Sequence, residues 1–364
     1  MNLDMEQLQD PRVQVSQGVL NWLLEVDEPS IRYETLVHLL GSMENESVVE
    51  ETGRLIGKRG WAAKILERQK GGTYWDNPYS CLVPKWSTCV WQLMVLADLG
   101  VSGDDPRIRN SIDHFLDLHS VDAGGLSLRP RGGEKFEPHI CMTGNMARAM
   151  VKFGYYNDER LVKAVDWLLA QQLPDGGWNC YTSEGAGSHG SFRSTVEPLW
   201  ALSEILLRKP SEGLRDSARK GSEFLLRHKI FKSDRDDSVI LLEFTQTHYP
   251  IHYKYDFLHA LRVLTSLGVT HDPRLDDAVK LLLEKRLPDG KWALDGVYRG
   301  WRTNRPLHGI GAFRPEENEV ITHGWGSETT LQLEEAGKPS KWITLQALLA
   351  LRRLGLLDQR ISKS

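Results

Sequence analysis

The groups of this 364-residue chain that could do chemistry cluster just ahead of, or at the opening of, a series of strongly apolar segments. Lys85, Trp86 and Cys89 open one such segment, and His139, Cys141 and Thr143 the next. Cys180, His189, Ser191 and Thr195 precede a third; His248, His252, Tyr253, Tyr255 and Asp256 precede a fourth; Ser340, Lys341, Trp342 and Thr344 open a fifth. Two thiolates and an imidazole, from Cys141, Cys180 and His189, would fill three positions of a tetrahedral zinc site, with His139 or His248 to supply a fourth. The other reading of these cysteines is a pair of buried thiols near unrelated histidines. Cys–His nucleophilic chemistry at the same residues lacks a nameable third, orienting group. Ser, Thr and Asp just before a helix are usual N-caps, and Thr88, Ser191 and Thr344 read as caps as readily as functional groups. Asp256 fits a cap less easily, because Tyr253 and Tyr255 precede it. It is the first choice for a general acid, with His139 and Tyr255 in support.

What must position these groups is a set of helices. Apolar residues recur at i, i+3, i+4 and i+7 in two kinds of segment. One kind, near 57–69, 107–119, 159–172, 216–229 and 273–286, alternates polar and apolar faces. The other, near 86–99, 141–154, 194–207, 253–267 and 341–354, is apolar on nearly every side, which predicts an inner helix paired with each outer one. A further pair near 13–26 and 31–41 makes six hairpins. The phrases DDPRI (104–108), NDERL (157–161) and HDPRL (271–275) open outer helices, with Pro106 and Pro273 in the first turn, where proline is tolerated. Gly-rich turns ending in Trp follow them or their counterparts as KGGTYW (70–75), LPDGGW (173–178) and LPDGKW (287–292). Hairpins that hide their inner helices only against two neighbours close naturally into a ring, so an all-α (α/α)6 toroid over residues 1–364, as one domain, is the expected fold.

Composition narrows the function. With 45 Lys and Arg against 49 Asp and Glu, a formal net charge of −4 offers no basic surface for nucleic acid. No window approaches 18 uninterrupted apolar residues, so no transmembrane segment is expected. The acidic opening MNLDMEQLQD lacks the features of a signal peptide. Four cysteines without a CxxC pair argue for reduced thiols, and a cytoplasmic protein with no bound cofactor is the expectation.

Residues 163–178, KAVDWLLAQQLPDGGW, carry a more specific signal. Lys163, Ala164, Trp167, Leu168, Gln172, Gly176 and Trp178 match the full repeat of the prenyltransferase and squalene-cyclase family. Partial copies stand at Ile65, Gln69 and Trp75; Phe115, Leu116 and Gly124; Lys220, Gly221, Phe224 and Leu225; and Ala278, Leu282, Gly290 and Trp292. The chain therefore resembles that family over most of its length, and most closely a bacterial single-toroid group known only as prenyltransferase-like. In its own terms the repeat is a brace: a Gln near the end of an outer helix can satisfy exposed backbone groups, and the following Trp can pack over it.

The resemblance implies a central cavity that takes an isoprenoid or similar lipid, with Trp86, Trp178, Phe192, His248, Tyr253 and Trp342 as substrate-binding walls. In the family's protonating cyclases a protonated carboxylic acid starts the reaction and aromatic faces stabilise the migrating cation. Those cyclases carry the acid in a DxDD motif that opens an inner helix. The string is present here as Asp234-Arg235-Asp236-Asp237, but it lies in the turn after an outer helix. No DDxxD array exists for a magnesium-bound diphosphate, and no Asp-x-Cys for the zinc of the protein prenyltransferases. A non-catalytic lipid-binding or scaffold protein, and a metal-dependent transferase or hydrolase using Cys141 and Cys180, are the alternative readings. Residues 293–339 form an insertion rich in aromatics and arginines, including Trp301, Phe313, Trp325, Arg299, Arg302 and Arg305, which reads as a lid that could meet an anionic head group.

Overall fold

The computed structural model describes residues 12–43, 46–82, 86–181, 187–252, 254–297 and 332–358. Among these residues the chain is built of α-helices, joined by isolated bridges rather than strands. The helices are α1 (Gln17–Leu23), α2 (Pro29–Glu34, running on as a π-turn over Thr35–Leu39), α3 (Ser47–Leu55), α4 (Gly60–Glu67), α5 (Cys89–Asp98), α6 (Pro106–His119), α7 (Ile140–Lys152), α8 (Glu159–Ala170), α9 (Phe192–Leu206), α10 (Glu212–Arg227), α11 (Phe257–Ser266), α12 (Asp276–Glu284) and α13 (Lys341–Arg353). All six expected hairpins are present. Helix α3 was not foreseen in the periodicity, because Val49 and Thr52 are its only buried positions. It packs on α2, where Arg32 Nε donates to Thr52 Oγ1 at 3.3 Å.

Burial separates two rings. Every residue of α5 is buried, and so are Ile140 to Val151 in α7, whereas α8 buries only Leu161, Ala164 and Leu168. The inner helices pack in sequence, α5 on α7, α7 on α9, α9 on α11 and α11 on α13, and each outer helix α6, α8, α10 and α12 lies on the inner helix before it. The ring then closes as α13 packs on α1 and α2. Val13 N–H donates to the Leu356 carbonyl at 2.7 Å, and Asp358 N–H to the Val13 carbonyl at 3.1 Å. Lys341 Nζ reaches Glu25 at 2.6 Å, Arg286 Nη2 donates to the Gln14 carbonyl at 2.6 Å, and the Arg352 guanidinium donates to the Leu39 carbonyl. The all-α toroid is thus a closed double ring.

The repeated phrases hold it together. Asp105, Asp158 and Asp272 cap the helices that follow them, and each pairs with the Arg two residues on, at 2.6, 2.7 and 2.7 Å. The indole N–H of Trp75, Trp178 and Trp292 donates to the carbonyl of the residue ten positions earlier, Ile65, Leu168 and Leu282, at 2.8, 2.8 and 2.7 Å. Each bond adds a donor to a carbonyl in the last turn of an outer helix, where the intrahelical partners run out. Gln69 and Gln172 reach the next outer helix, Gln69 Nε2 donating to the Arg107 carbonyl at 3.1 Å and Gln172 Nε2 to the Ser217 carbonyl at 2.9 Å. In the last repeat Arg286 replaces the Gln and bonds the first hairpin instead, so the brace becomes the ring closure.

The inner helices answer from the other side. Thr143, Thr195 and Thr344 hydroxyls accept the backbone N–H of Leu126, Trp178 and Trp292 at 2.9, 2.9 and 3.0 Å. These threonines, listed above among possible functional groups, pin the turns. Trp178, fully buried in this brace, is part of the framework and not a cavity wall. The family repeat therefore positions the inner helices and does no chemistry of its own.

Candidate functional site in the ring axis

Helices α7 and α9 make the closest helix pair of the ring. A Cβ on Gly144 would stand 2.8 Å from the backbone of Glu197 and Pro198, so only glycine allows this approach. The contact aligns one face of α7, Cys141, Asn145 and Arg148, with one face of α9, Ser194, Glu197 and Trp200. These faces run from the N-terminal rim of the inner ring into its middle.

At the rim stand His139, which precedes α7, Cys141 in its first turn, and Cys180 from the loop after Trp178. The two sulfurs lie 2.8 Å apart, and His139 Nδ1 is 3.8 Å from Cys180 Sγ. Ser194 Oγ accepts from Cys180 N–H at 3.2 Å and from the Cys141 thiol at 3.5 Å, and donates to Cys180 Sγ at 3.2 Å. Burial raises the Cys180 thiol, but the Cys141 thiol, His139 and the Ser194 hydroxyl outweigh it and bring it well below the ordinary range. Cys141 moves the opposite way, raised by the sulfur beside it and by burial. His189, the histidine expected with these cysteines, is exposed, and only its carbonyl takes part locally, accepting from Asn179 Nδ2 at 2.7 Å.

One turn deeper, Glu197 is fully buried, and neither carboxyl oxygen has a hydrogen-bond partner among the described residues. Burial raises its pKa well above the ordinary carboxylate value, against the pull of Arg148. That shift favours the protonated carboxyl. Beyond it, five inner helices contribute to one cluster, which only the middle of a ring allows. Arg148 Nη2 bonds Asp98 Oδ1 at 2.5 Å, and Arg262 Nη2 stands 3.7 Å from the same oxygen. Both guanidiniums lie over Trp200, at 3.4 and 4.7 Å from its centroid, and Arg262 also lies 5.3 Å from the Trp342 centroid. Trp342 stacks on Tyr249 at 4.2 Å, and His259 packs edge-on against Trp200 at 4.6 Å. Burial first, then Arg262 and Arg148, hold His259 far below its ordinary pKa, so it is neutral. The axis thus offers a proton donor, two cations against one carboxylate, and large aromatic faces.

Asp256 is elsewhere and differently employed. It caps α11: Oδ1 accepts from His259 N–H at 2.8 Å, and Oδ2 from His248 N–H at 3.0 Å with His248 Nδ1 at 3.4 Å. Its expected helpers are not with it. His139 stands with Cys180, and the Tyr255 hydroxyl donates to the Ile230 carbonyl at 2.5 Å. Phe192 is enclosed by Phe224, His228, Phe244 and Tyr255, with centroids 5.0 to 5.6 Å away, so it packs a wall between helices. Trp86 stacks on His252 at the rim. The Asp234–Asp237 string sits in an exposed turn, where Asp237 pairs with Lys229 and Lys232 at 2.7 and 3.2 Å and Asp236 accepts from the Ser238 hydroxyl at 2.7 Å. Lys85, Tyr253 and residues 298–331 of the insertion lie outside the described residues. At the base of that insertion Leu294 and Lys338 pair, Leu294 N–H donating to the Lys338 carbonyl at 3.0 Å.

The site residues that the rim-centred reading missed are Asp98, Arg148, Glu197, Trp200, His259 and Arg262. A signal for them existed: each polar one is a charged or titratable residue at a buried position of a largely apolar inner helix. Such a helix buries whatever it carries, and a buried charge persists only with a partner or a purpose.

No protein-family model matches the chain. It is 25% identical over 223 residues to lanosterol synthase erg7A of Aspergillus fumigatus; the match covers 53% of this chain and 28% of that enzyme, so the chain spans little more than a quarter of that protein. Among solved structures it is similar to the type II terpene cyclase MstE from Scytonema, at 16% identity and a TM-score of 0.41, covering 73% of this chain and 70% of that one. A protein from Actinoplanes shows 17% identity and a TM-score of 0.44, with 91% and 89% covered. A substituted MstE in complex with geranylgeranyl dihydroxybenzoate shows 17% identity and a TM-score of 0.40, with 73% and 70% covered. By its own repeats and the packing of its helices, the chain is a closed all-α double ring.

Proposed function

We propose that the ring takes an isoprenoid or similar prenylated small molecule along its axis and starts a cyclisation or isomerisation by proton transfer from Glu197. The observation that carries this is a fully buried carboxyl group whose burial raises its pKa well above the ordinary value, on the same face of α9 as Trp200. Proton transfer to an alkene needs an acid that is neutral before the reaction and sheltered from water, and general acid catalysis of this kind contributes about 10²–10⁴-fold. The likeness to lanosterol synthase and to a terpene cyclase bound to a geranylgeranyl compound supports the substrate class. The free thiols fit a reducing, cytoplasmic setting. Incubation with a panel of linear isoprenoids and prenylated phenols, followed by mass spectrometry of extracted lipids, tests the proposal. A product isomeric with its substrate, absent with Glu197→Gln, is the expected result.

One feature of the site favours a second reading, a lipid-binding ring without turnover. The faces of Trp200 and Trp342 that would stabilise a carbocation are already covered by Arg148 and Arg262, and two guanidiniums repel a migrating positive charge. Lipid captured unchanged by both the parent protein and Glu197→Gln would establish that reading and exclude the first.

A further inference from the structure

We infer that His139, Cys141 and Cys180 form a zinc site with three protein ligands and a fourth position left to water or substrate. Their ligand atoms all lie within 4.8 Å of one another, and they are the group among the described residues so placed. Three separate elements deliver them. His139 ends the segment before α7, Cys141 sits in the first turn of that helix, and Cys180 arrives on the loop that the Trp178 brace anchors. The chemistry suits zinc, which takes thiolate at about 2.3 Å and imidazole nitrogen at about 2.0–2.1 Å in tetrahedral array. Around such an ion two sulfurs stand roughly 3.7 Å apart and a sulfur and a nitrogen slightly less. The 3.8 Å between Cys180 Sγ and His139 Nδ1 already has that spacing. The 2.8 Å between the sulfurs is longer than a disulfide bond of about 2.05 Å and must widen by a little under 1 Å to admit the ion.

A second shell is in place. The Ser194 hydroxyl donates to Cys180 Sγ and holds the Cys180 backbone, while Asn145 Nδ2 donates to the Cys141 carbonyl at 2.9 Å. Such outer partners fix ligand orientation in built metal sites. Glu197, one turn along α9 from Ser194, is the nearest acid or base in sequence and face to serve a zinc-bound water. The inference goes beyond the role proposed for Glu197 and stands without it, because it is read from metal content and needs no substrate.

The test is elemental analysis of tag-free protein prepared in reductant without chelator, with zinc then added to saturation and the excess dialysed away. One zinc per chain is expected, with at least a tenfold loss of bound zinc in Cys180→Ser and in His139→Ala. Both of those positions are only half-buried, so these variants are expected to fold even where Cys141→Ser does not. Cobalt in place of zinc gives a second reading: a thiolate-to-cobalt charge-transfer band present in the parent and lost in Cys180→Ser. Zinc retained in both variants, zinc lost instead in Cys81→Ser, or no zinc bound at saturation would each overturn the inference. So would a Cys141–Cys180 disulfide found by peptide mapping of protein kept in reductant.

Discussion

Trp86 and His252 stack at 4.5 Å with their planes 21° apart, and both hold a left-handed backbone, at φ 67° and 49°. Neither residue is glycine, so each conformation costs about 1–3 kcal/mol that the surrounding contacts must offset. Trp91 closes the group edge-on, 4.6 Å from Trp86 and 5.4 Å from His252. The stack ties the segment before α5 to the segment before α11 and buries the imidazole.

That burial predicts an acid-labile ring. Desolvation lowers His252 from the ordinary histidine value to about 3, so the native state cannot take the proton that the unfolded chain binds below pH 6.5. Its contribution is fully present above pH 6.5 and is lost as the pH falls toward 3. The loss is on the order of 2 kcal/mol between pH 6.5 and 5, at about 1.4 kcal/mol per unit. Urea unfolding of the parent and of His252→Phe at pH 5 and pH 7 checks it. The variant should lose distinctly less stability between the two pH values than the parent; equal losses would show that His252 is not the acid-sensitive group.

The braces predict a uniform cost around the ring. Replacing Trp178 or Trp292 with Phe keeps most of the aromatic bulk but leaves the Leu168 or Leu282 carbonyl without its indole donor. Losing one such hydrogen bond costs about 1 kcal/mol, and the Leu168 carbonyl keeps the Gln171 N–H at 3.1 Å. Both variants should lose stability by similar amounts in urea titration. A cost at one position alone would mean that the two turns are not mechanically equivalent.

These braces were legible in the sequence because they repeat. Trp75, Trp178 and Trp292 announce themselves by following the same turn after the same helical pattern, and Asp105, Asp158 and Asp272 by preceding Arg at the same spacing. The axis was not legible in that way. Asp98, Arg148, Glu197, His259 and Arg262 each occur once, on four inner helices, and they meet Trp342 of a fifth only because a closed ring brings five helices to one centre. Asp256 misled for a related reason. Its flanking tyrosines made a cap look unlikely, yet Tyr255 turns away to the Ile230 carbonyl and leaves the carboxylate free to cap α11. The structure places Cys141 and Cys180 side by side, and the histidine beside them is His139, offered by the sequence as a fourth ligand, rather than His189, which is nearer Cys180 in sequence.

Gly144 is where α7 and α9 meet. Adding one methyl group there must push apart two backbones that the ring holds from both sides, and overpacking of this kind costs about 1–3 kcal/mol. Gly144→Ala should therefore lower the unfolding midpoint. It should also separate the Cys141–Asn145–Arg148 face from the Ser194–Glu197–Trp200 face, which intrinsic tryptophan fluorescence from Trp200 would report. A variant of unchanged stability and fluorescence would show that the helices can shift apart freely.

The pair Glu197→Gln and Asp256→Asn separates chemistry from capping. Asp256 uses both oxygens as acceptors at the start of α11. The amide keeps one acceptor and loses the charge that suits a helix N-terminus, so Asp256→Asn should cost about 1 kcal/mol and leave turnover intact. Glu197→Gln replaces the carboxyl by a neutral amide of the same shape. Because the raised pKa of Glu197 keeps a proton on the native state that the unfolded chain releases above its own value of 4.5, stability from this group is present at low pH and is lost as the pH rises. The glutamine variant has no such loss and should be as stable as the parent at pH 5 and more stable at pH 8. Its turnover should fall by about 10²-fold or more if Glu197 is the proton donor. Calorimetry at the two pH values with product analysis on the same samples distinguishes the roles. Turnover kept by Glu197→Gln but lost by Asp256→Asn would return the acid to the rim and leave Glu197 a buried structural group.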